Sequence, residues 1–178
     1  MRSTLSIDVE APAHLVFDLA RDVTRWPALL PHYLDVRVLE RHATPPGAIT
    51  ARMVALRLLI PLLGYGLPVA WRSRTWAEDP GDGTLRLRFV HRGGATDGMD
   101  VTWRIEPAAA GCRVTIEHDF EPPRTAWGEL VTRLFVTPIA TRTLTTFKAI
   151  AEVAAPAAAV PAGRPPRSSR GRAAKRST

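Results

Sequence analysis

Between Tyr33 and Phe120 the chain alternates apolar and polar side chains in six separate stretches, each cut from the next by proline or glycine. Alternation of period two places every second side chain on one face, so these stretches form strands with one buried side. The boundaries are Tyr33–Arg41, Ala48–Leu58, Leu67–Glu78, Thr84–His91, Gly98–Glu106 and Cys112–Phe120. Asp79-Pro80-Gly81-Asp82-Gly83 and Gly93-Gly94 supply hairpin turns. An earlier run, Thr4–Glu10, puts Leu5, Ile7 and Val9 on one side and makes a seventh strand. After the last strand the period changes. Trp127, Leu130, Val131, Leu134 and Phe135 recur at helical spacing, which predicts a helix over Arg124–Val153 with a kink at Pro138. A sheet with one polar face and a long apolar helix to cover the other is an α+β layer arrangement.

Between the first two strands lies RDVTRWPALLPHY, residues 21–33, which holds Trp26, His32 and Tyr33. A short helix over 12–21 precedes it, with Pro12 suited to the first turn. Pro27 and Pro31 forbid its continuation, because the residue before a proline avoids the α region. The segment therefore makes a second, very short helix. Its bulky residues either plug the core or line the mouth of a pocket.

Alternation also sorts the polar groups. Leu85, Leu87, Phe89 and His91 share a face, as do Met99, Val101, Trp103 and Ile105. Cys112, Val114, Ile116, His118 and Phe120 form another inward row, and Val69, Trp71, Ser73 and Thr75 a fourth, with Arg72 and Arg74 outside. The inner face thus carries Ser73, Thr75, His91 and His118 among Trp71, Phe89, Met99 and Trp103. An apolar cavity with a few placed polar groups is the composition of a ligand site. The competing reading is a dry core whose histidines bond to backbone at its rims.

Charge excludes less than its total suggests. Of the 24 Lys and Arg, six lie in residues 156–178, which contain no acid; the remaining 18 face 17 Asp and Glu in residues 1–155. The formal +7 therefore belongs to a Pro/Ala/Arg-rich tail, expected to be disordered. The body over 1–155 reads as one domain. No basic face interleaved with aromatics marks a nucleic-acid module. The apolar run 53–71 is broken by Arg57, Pro61, Gly64, Gly66 and Pro68, so no spanning helix is expected. The N-terminus shows no signal peptide, and the reading is a cytoplasmic protein. One cysteine and five histidines without ligand spacing give no metal site. GxSxG, P-loop and GxGxxG motifs are absent.

The opening SIDVEAPAHLVFDLARDVTRWPALLPHYLDVRVLE, the later FVHRGGATDGMDVTWRIEP and GCRVTIEHDF, and the helix end RTLTTFKAIAE resemble the polyketide cyclase/dehydrase family of the START-like, helix-grip superfamily. The resemblance covers residues 3–152. It implies a seven-stranded antiparallel sheet wrapped around the C-terminal helix, two short helices after the first strand, and an apolar cavity between sheet and helix. Phe135 of the long helix would then join the ligand-binding set, and the LLIPLLGYGLP loop would sit near the portal. Aromatase/cyclase members use a Tyr at the position of Tyr33 and an Arg after a W-x-S stretch. In Trp71-Arg72-Ser73-Arg74-Thr75 that place falls to Thr75, and Arg74 enters the cavity only if a bulge turns it.

The function implied is a bacterial cyclase or aromatase-like protein that bends an apolar polyketide and promotes ring closure or dehydration without a cofactor. His91 and His118 would exchange protons, and Tyr33 and Ser73 would hydrogen-bond the enolising carbonyl. An acyl carrier protein is the implied partner, and the chain a monomer or homodimer. A non-catalytic carrier of a lipid or quinone would use the same cavity. A third reading is an interaction protein held to an acidic partner by its basic tail.

Overall fold

The computed structural model describes residues 2–60, 65–93, 96–121 and 125–158; the side chains of 58–60, 65, 125–127 and 156–158 are excepted. Seven strands form one antiparallel sheet: β1 (Arg2–Val9), β2 (Tyr33–Arg41), β3 (Ile49–Ile60), β4 (Tyr65–Glu78), β5 (Leu85–Arg92), β6 (Asp100–Ala108) and β7 (Gly111–Asp119). The order across the sheet is β1-β7-β6-β5-β4-β3-β2, a meander from β2 to β7 with β1 added at the far edge. Helix α1 (Ala13–Ala20) follows β1, then a 3₁₀ turn at Val23–Arg25 and α2 (Trp26–Leu29). The C-terminal helix consists of α3 (Thr125–Val131), a π-helical turn at Thr132–Val136, and α4 (Thr137–Ala158). This is the START-like, helix-grip arrangement expected above. Residues 159–178, and most of the predicted tail with them, lie outside the described residues.

Local chemistry explains the boundaries. In the 79–83 turn, Gly81 and Gly83 take positive φ, and Asp79 and Asp82 accept the amides of Gly81 and Thr84. Gly111 has φ +136, and a Cβ there would fall 2.1 Å from the Val9 carbonyl, so only glycine lets β7 start this close to the end of β1. Asp22 accepts from the amide and hydroxyl of Thr24, capping the 3₁₀ turn.

The inward rows are those expected from alternation. Leu87, Phe89, Val101, Trp103, Ile105, Cys112, Val114, Ile116 and His118 are buried. Helix α4 lies across them, turning Ala140, Leu144, Phe147 and Ala151 inward at helical spacing. A polar clamp holds α4 to β1: Lys148 Nζ meets Glu152 Oε1 at 2.6 Å and the Asp8 carbonyl at 2.7 Å, while Glu152 also accepts the Glu10 amide.

The predicted kink at Pro138 takes the form of the π turn just before it. Proline offers no N–H to the carbonyl four residues back, which is that of Leu134. Arg57 of β3 supplies the missing donor: its Nε lies 2.5 Å from the Leu134 carbonyl. An inward arginine thus ties β3 to the widened turn. Among the described residues no helix is long and apolar enough to cross a membrane.

Candidate functional site

Sheet, α2 and the C-terminal helix leave between them a cavity of about 100 Å³. That is several times the roughly 10–15 Å³ one water needs, and its walls are mostly aromatic. Trp26 is the hub. Its ring lies 4.9 Å from Tyr33, 5.8 Å from both Phe89 and Trp103, and 5.9 Å from Phe147. Its Nε1 donates to the Ala20 carbonyl at 2.9 Å, so the same residue that fills the core also fixes α2 against the end of α1. In the segment 21–33, Trp26 plugs the core, and Trp26 and Tyr33 are buried residues of the cavity wall.

Polar groups enter from three sides. On β5, His91 stacks on Trp71 at 5.8 Å, and its Nδ1 lies 2.9 Å from the Thr96 hydroxyl. On β7, His118 Nδ1 lies 3.3 Å from Ser3 Oγ. Each imidazole has its Nε2 without a protein partner among the described residues. The third group is a hydroxyl hub on α4. Thr143 donates to the Ile139 carbonyl at 2.9 Å, so it can only accept from His32 Nε2, 2.9 Å away. This fixes the His32 tautomer and leaves its Nδ1 buried without a partner among the described residues.

Burial sets the protonation states. Desolvation lowers His91 to about 3, helped by repulsion from His118. It lowers His118 to about 4 against an opposing hydrogen bond to the Ser3 backbone, and His32 to about 4 with help from Arg142. All three are neutral at pH 7. Desolvation pushes the Tyr33 phenol above its usual range, so it stays protonated.

Of the expected site residues, Tyr33, Trp71, Phe89, His91, Trp103, His118 and Phe135 all line the cavity. Four others do not. Ser73 and Thr75 are buried within the sheet beside it, and the Ser73 hydroxyl turns back to the Arg74 carbonyl at 3.4 Å. Met99 packs in the core behind the wall. Arg74 stays on the outer face, where Nη2 donates to the Thr44 carbonyl. No register shift occurs along β4 between Arg72 and Glu78, so nothing turns Arg74 inward. Sequence reasoning missed Thr143, although it lies on the inward face of α4 between Ala140 and Leu144. Among the described residues no three His, Cys, Asp or Glu side chains converge as metal ligands.

The mouth is set by strand lengths. β5 pairs with β4 only from Arg72 to Glu78, so among the described residues Tyr65–Trp71 has β3 on one side and no strand on the other. Val69–Trp71 of this free edge line the cavity, as do Thr96 and, from the π turn, Phe135 and Val136. Half-exposed Leu67 and Leu134 give an apolar setting nearby. Residues 61–64 of the expected portal loop lie outside the described residues.

Similar proteins have the same architecture. The Zhui aromatase/cyclase of Streptomyces sp. R1128 superposes with a TM-score of 0.68 at 20% identity, over 89% of this chain and 98% of its own. A START superfamily protein of Mycobacterium smegmatis gives 0.60 at 14% identity, over 85% and 97%. At these identities the likeness is one of fold. A proposed polyketide cyclase of Streptomyces cyaneus is 31% identical over 114 residues, 64% of this chain and 68% of its own. The profile of the family described as "Polyketide cyclase / dehydrase and lipid transport" matches residues 1–152. With a helix-grip sheet, an aromatic cavity under its long helix and that match over most of its length, the chain belongs to the polyketide cyclase/dehydrase and lipid transport family.

Proposed function

We propose that this chain binds a polyketide-type intermediate in its cavity and promotes ring closure or dehydration there, the substrate reaching it on an acyl carrier protein. The observation that carries this reading is an aromatic pocket holding two neutral imidazoles and the protonated phenol of Tyr33. Ring closure of a poly-ketone moves a proton from an activated carbon, forms a carbon–carbon bond to a carbonyl within the same molecule, and leaves a hydroxyl. Dehydration then removes that hydroxyl and a neighbouring proton as water. Aromatic walls hold the chain bent, and holding reacting atoms together supplies large effective molarities. The protonated Tyr33 phenol donates to the carbonyl oxygen as it gains charge. Nε2 of one imidazole, His91 or His118, takes the proton from the activated carbon and returns it to the new hydroxyl, which then leaves as water when a second proton is passed to it.

The low histidine values favour one other reading. A base with a pKa near 3 or 4 is far from the optimum for proton transfer at neutral pH, which suits a carrier of a lipid or quinone. Titrating residues 1–158 with aromatic polyketides, isoprenoid quinones and fatty acyl chains, read by tryptophan fluorescence, separates the two. The expected result is saturable quenching by the polyketides, weakened about tenfold in His91→Ala, the scale of one lost hydrogen bond. In a reconstituted polyketide pathway, the His91→Ala/His118→Ala chain should shift the product distribution. An unchanged distribution with preferred binding of quinone or acyl chains would select the carrier.

A further inference from the structure

The outer face of the sheet beside the mouth carries a row of arginines that the cavity does not use. Arg37 of β2 pairs directly with Arg52 of β3, Arg52 with Arg72 of β4, and Arg72 with Arg92 of β5. Directly paired residues share a face, so four guanidinium stems stand side by side across four strands, about 4.8 Å apart. Like charges placed directly opposite destabilise a sheet. Asp35 relieves one end only, meeting Arg37 at 3.1 Å and Arg52 at 3.5 Å. Arg72 and Arg92 are exposed and have no ion pair among the described residues.

Arg52, Arg72 and Arg92 line a cleft with Ala70, Trp71 and Gly93. Ala70 and Trp71 also border the cavity. The cleft is therefore the outer lip of the mouth, where β4 runs on past the end of β5. A guanidinium row fits phosphate oxygens with forked, charge-assisted hydrogen bonds. An apolar cavity within reach fits a chain attached to that phosphate.

We propose that this arginine lip is a phosphate site, gripping the phosphate ester of an amphiphilic ligand whose apolar end enters the cavity. It rests on the reading of the cavity as an apolar-ligand site and adds to it a charged anchor outside.

The test is calorimetric titration at pH 7.5 and low salt with octyl phosphate, 1-octanol and inorganic pyrophosphate, using the wild-type chain and Arg72→Gln/Arg92→Gln. Octyl phosphate is expected to bind at least tenfold more tightly than 1-octanol. The double substitution should remove that advantage and abolish pyrophosphate binding, while leaving 1-octanol unaffected. Arginine-dependent pyrophosphate binding with no uptake of either octyl compound would support the lip and sink the cavity reading alone. Equal binding of the two octyl compounds, or pyrophosphate binding untouched by the substitutions, overturns the proposal. So does arginine-dependent sedimentation with phosphatidylglycerol vesicles in the absence of soluble phosphate binding, which would assign the row to a bilayer surface.

Discussion

Trp26→Ala is expected to lower the unfolding free energy by about 3–5 kcal/mol, the range for truncating a large aromatic in a packed core. Trp26 is 2% exposed and touches four other aromatic rings drawn from β2, β5, β6 and α4. Removing it takes the centre from the cluster rather than a member of its edge. The void would merge with the existing cavity, so the surrounding rings cannot close over it without losing their own contacts. The Ala20 carbonyl would also lose its donor. Trp26→Phe separates the two effects: it keeps most of the ring, loses the hydrogen bond, and should cost about 1–2 kcal/mol. Urea unfolding followed by far-UV circular dichroism measures both. A Trp26→Ala cost below about 1 kcal/mol would mean the ring is not a structural plug.

The second large effect is acid lability. His32, His91 and His118 are neutral in the folded chain down to pH values of about 4, 3 and 4. In the unfolded chain a histidine titrates near 6.5. Between those values the unfolded state binds more protons, so stability falls as the pH drops through 6.5 and is constant above it. A full shift is worth about 1.4 kcal/mol per pH unit per group. Allowing for the partial exposure of His91, the three together should remove roughly 3–6 kcal/mol by pH 5. Domain stabilities are about 5–15 kcal/mol, so the chain should approach unfolding there. Urea midpoints at pH 7.5, 6 and 5 give the slope, and His91→Asn/His118→Asn should flatten it. A midpoint that does not move between pH 7.5 and 5 would show the imidazoles to be hydrated rather than buried.

Both effects begin in residues that were legible from the chain alone, but to different degrees. Alternation placed His91 and His118 inward because a strand's period of two leaves no choice once one face is apolar. The same rule placed Arg72 and Arg74 outside, and the unbroken register of β4 keeps them there. Trp26 was recognisable as a bulky group on a proline-bounded segment. Its role at the wall depended on where α2 came to rest.

Sequence by itself determined the sheet, its inner rows and the long helix, because local periodicity and turn chemistry act between near neighbours; the family came from a resemblance over residues 3–152. It also marked seven of the eleven expected site residues that the cavity brings together. Tertiary structure alone decided the rest. Ser73 and Thr75 share the inner face with Trp71, yet the cavity passes them by, since its extent depends on which sheet residues the helix covers. Thr143 became a hydrogen-bonding hub because α4 laid it against His32, 111 residues earlier. Arg57 became the partner of a carbonyl that Pro138 leaves bare, 77 residues along the chain. The arginine row exists only when four strands align in register. Each of these pairings is made by packing between distant segments, and no local pattern encodes the distance between them.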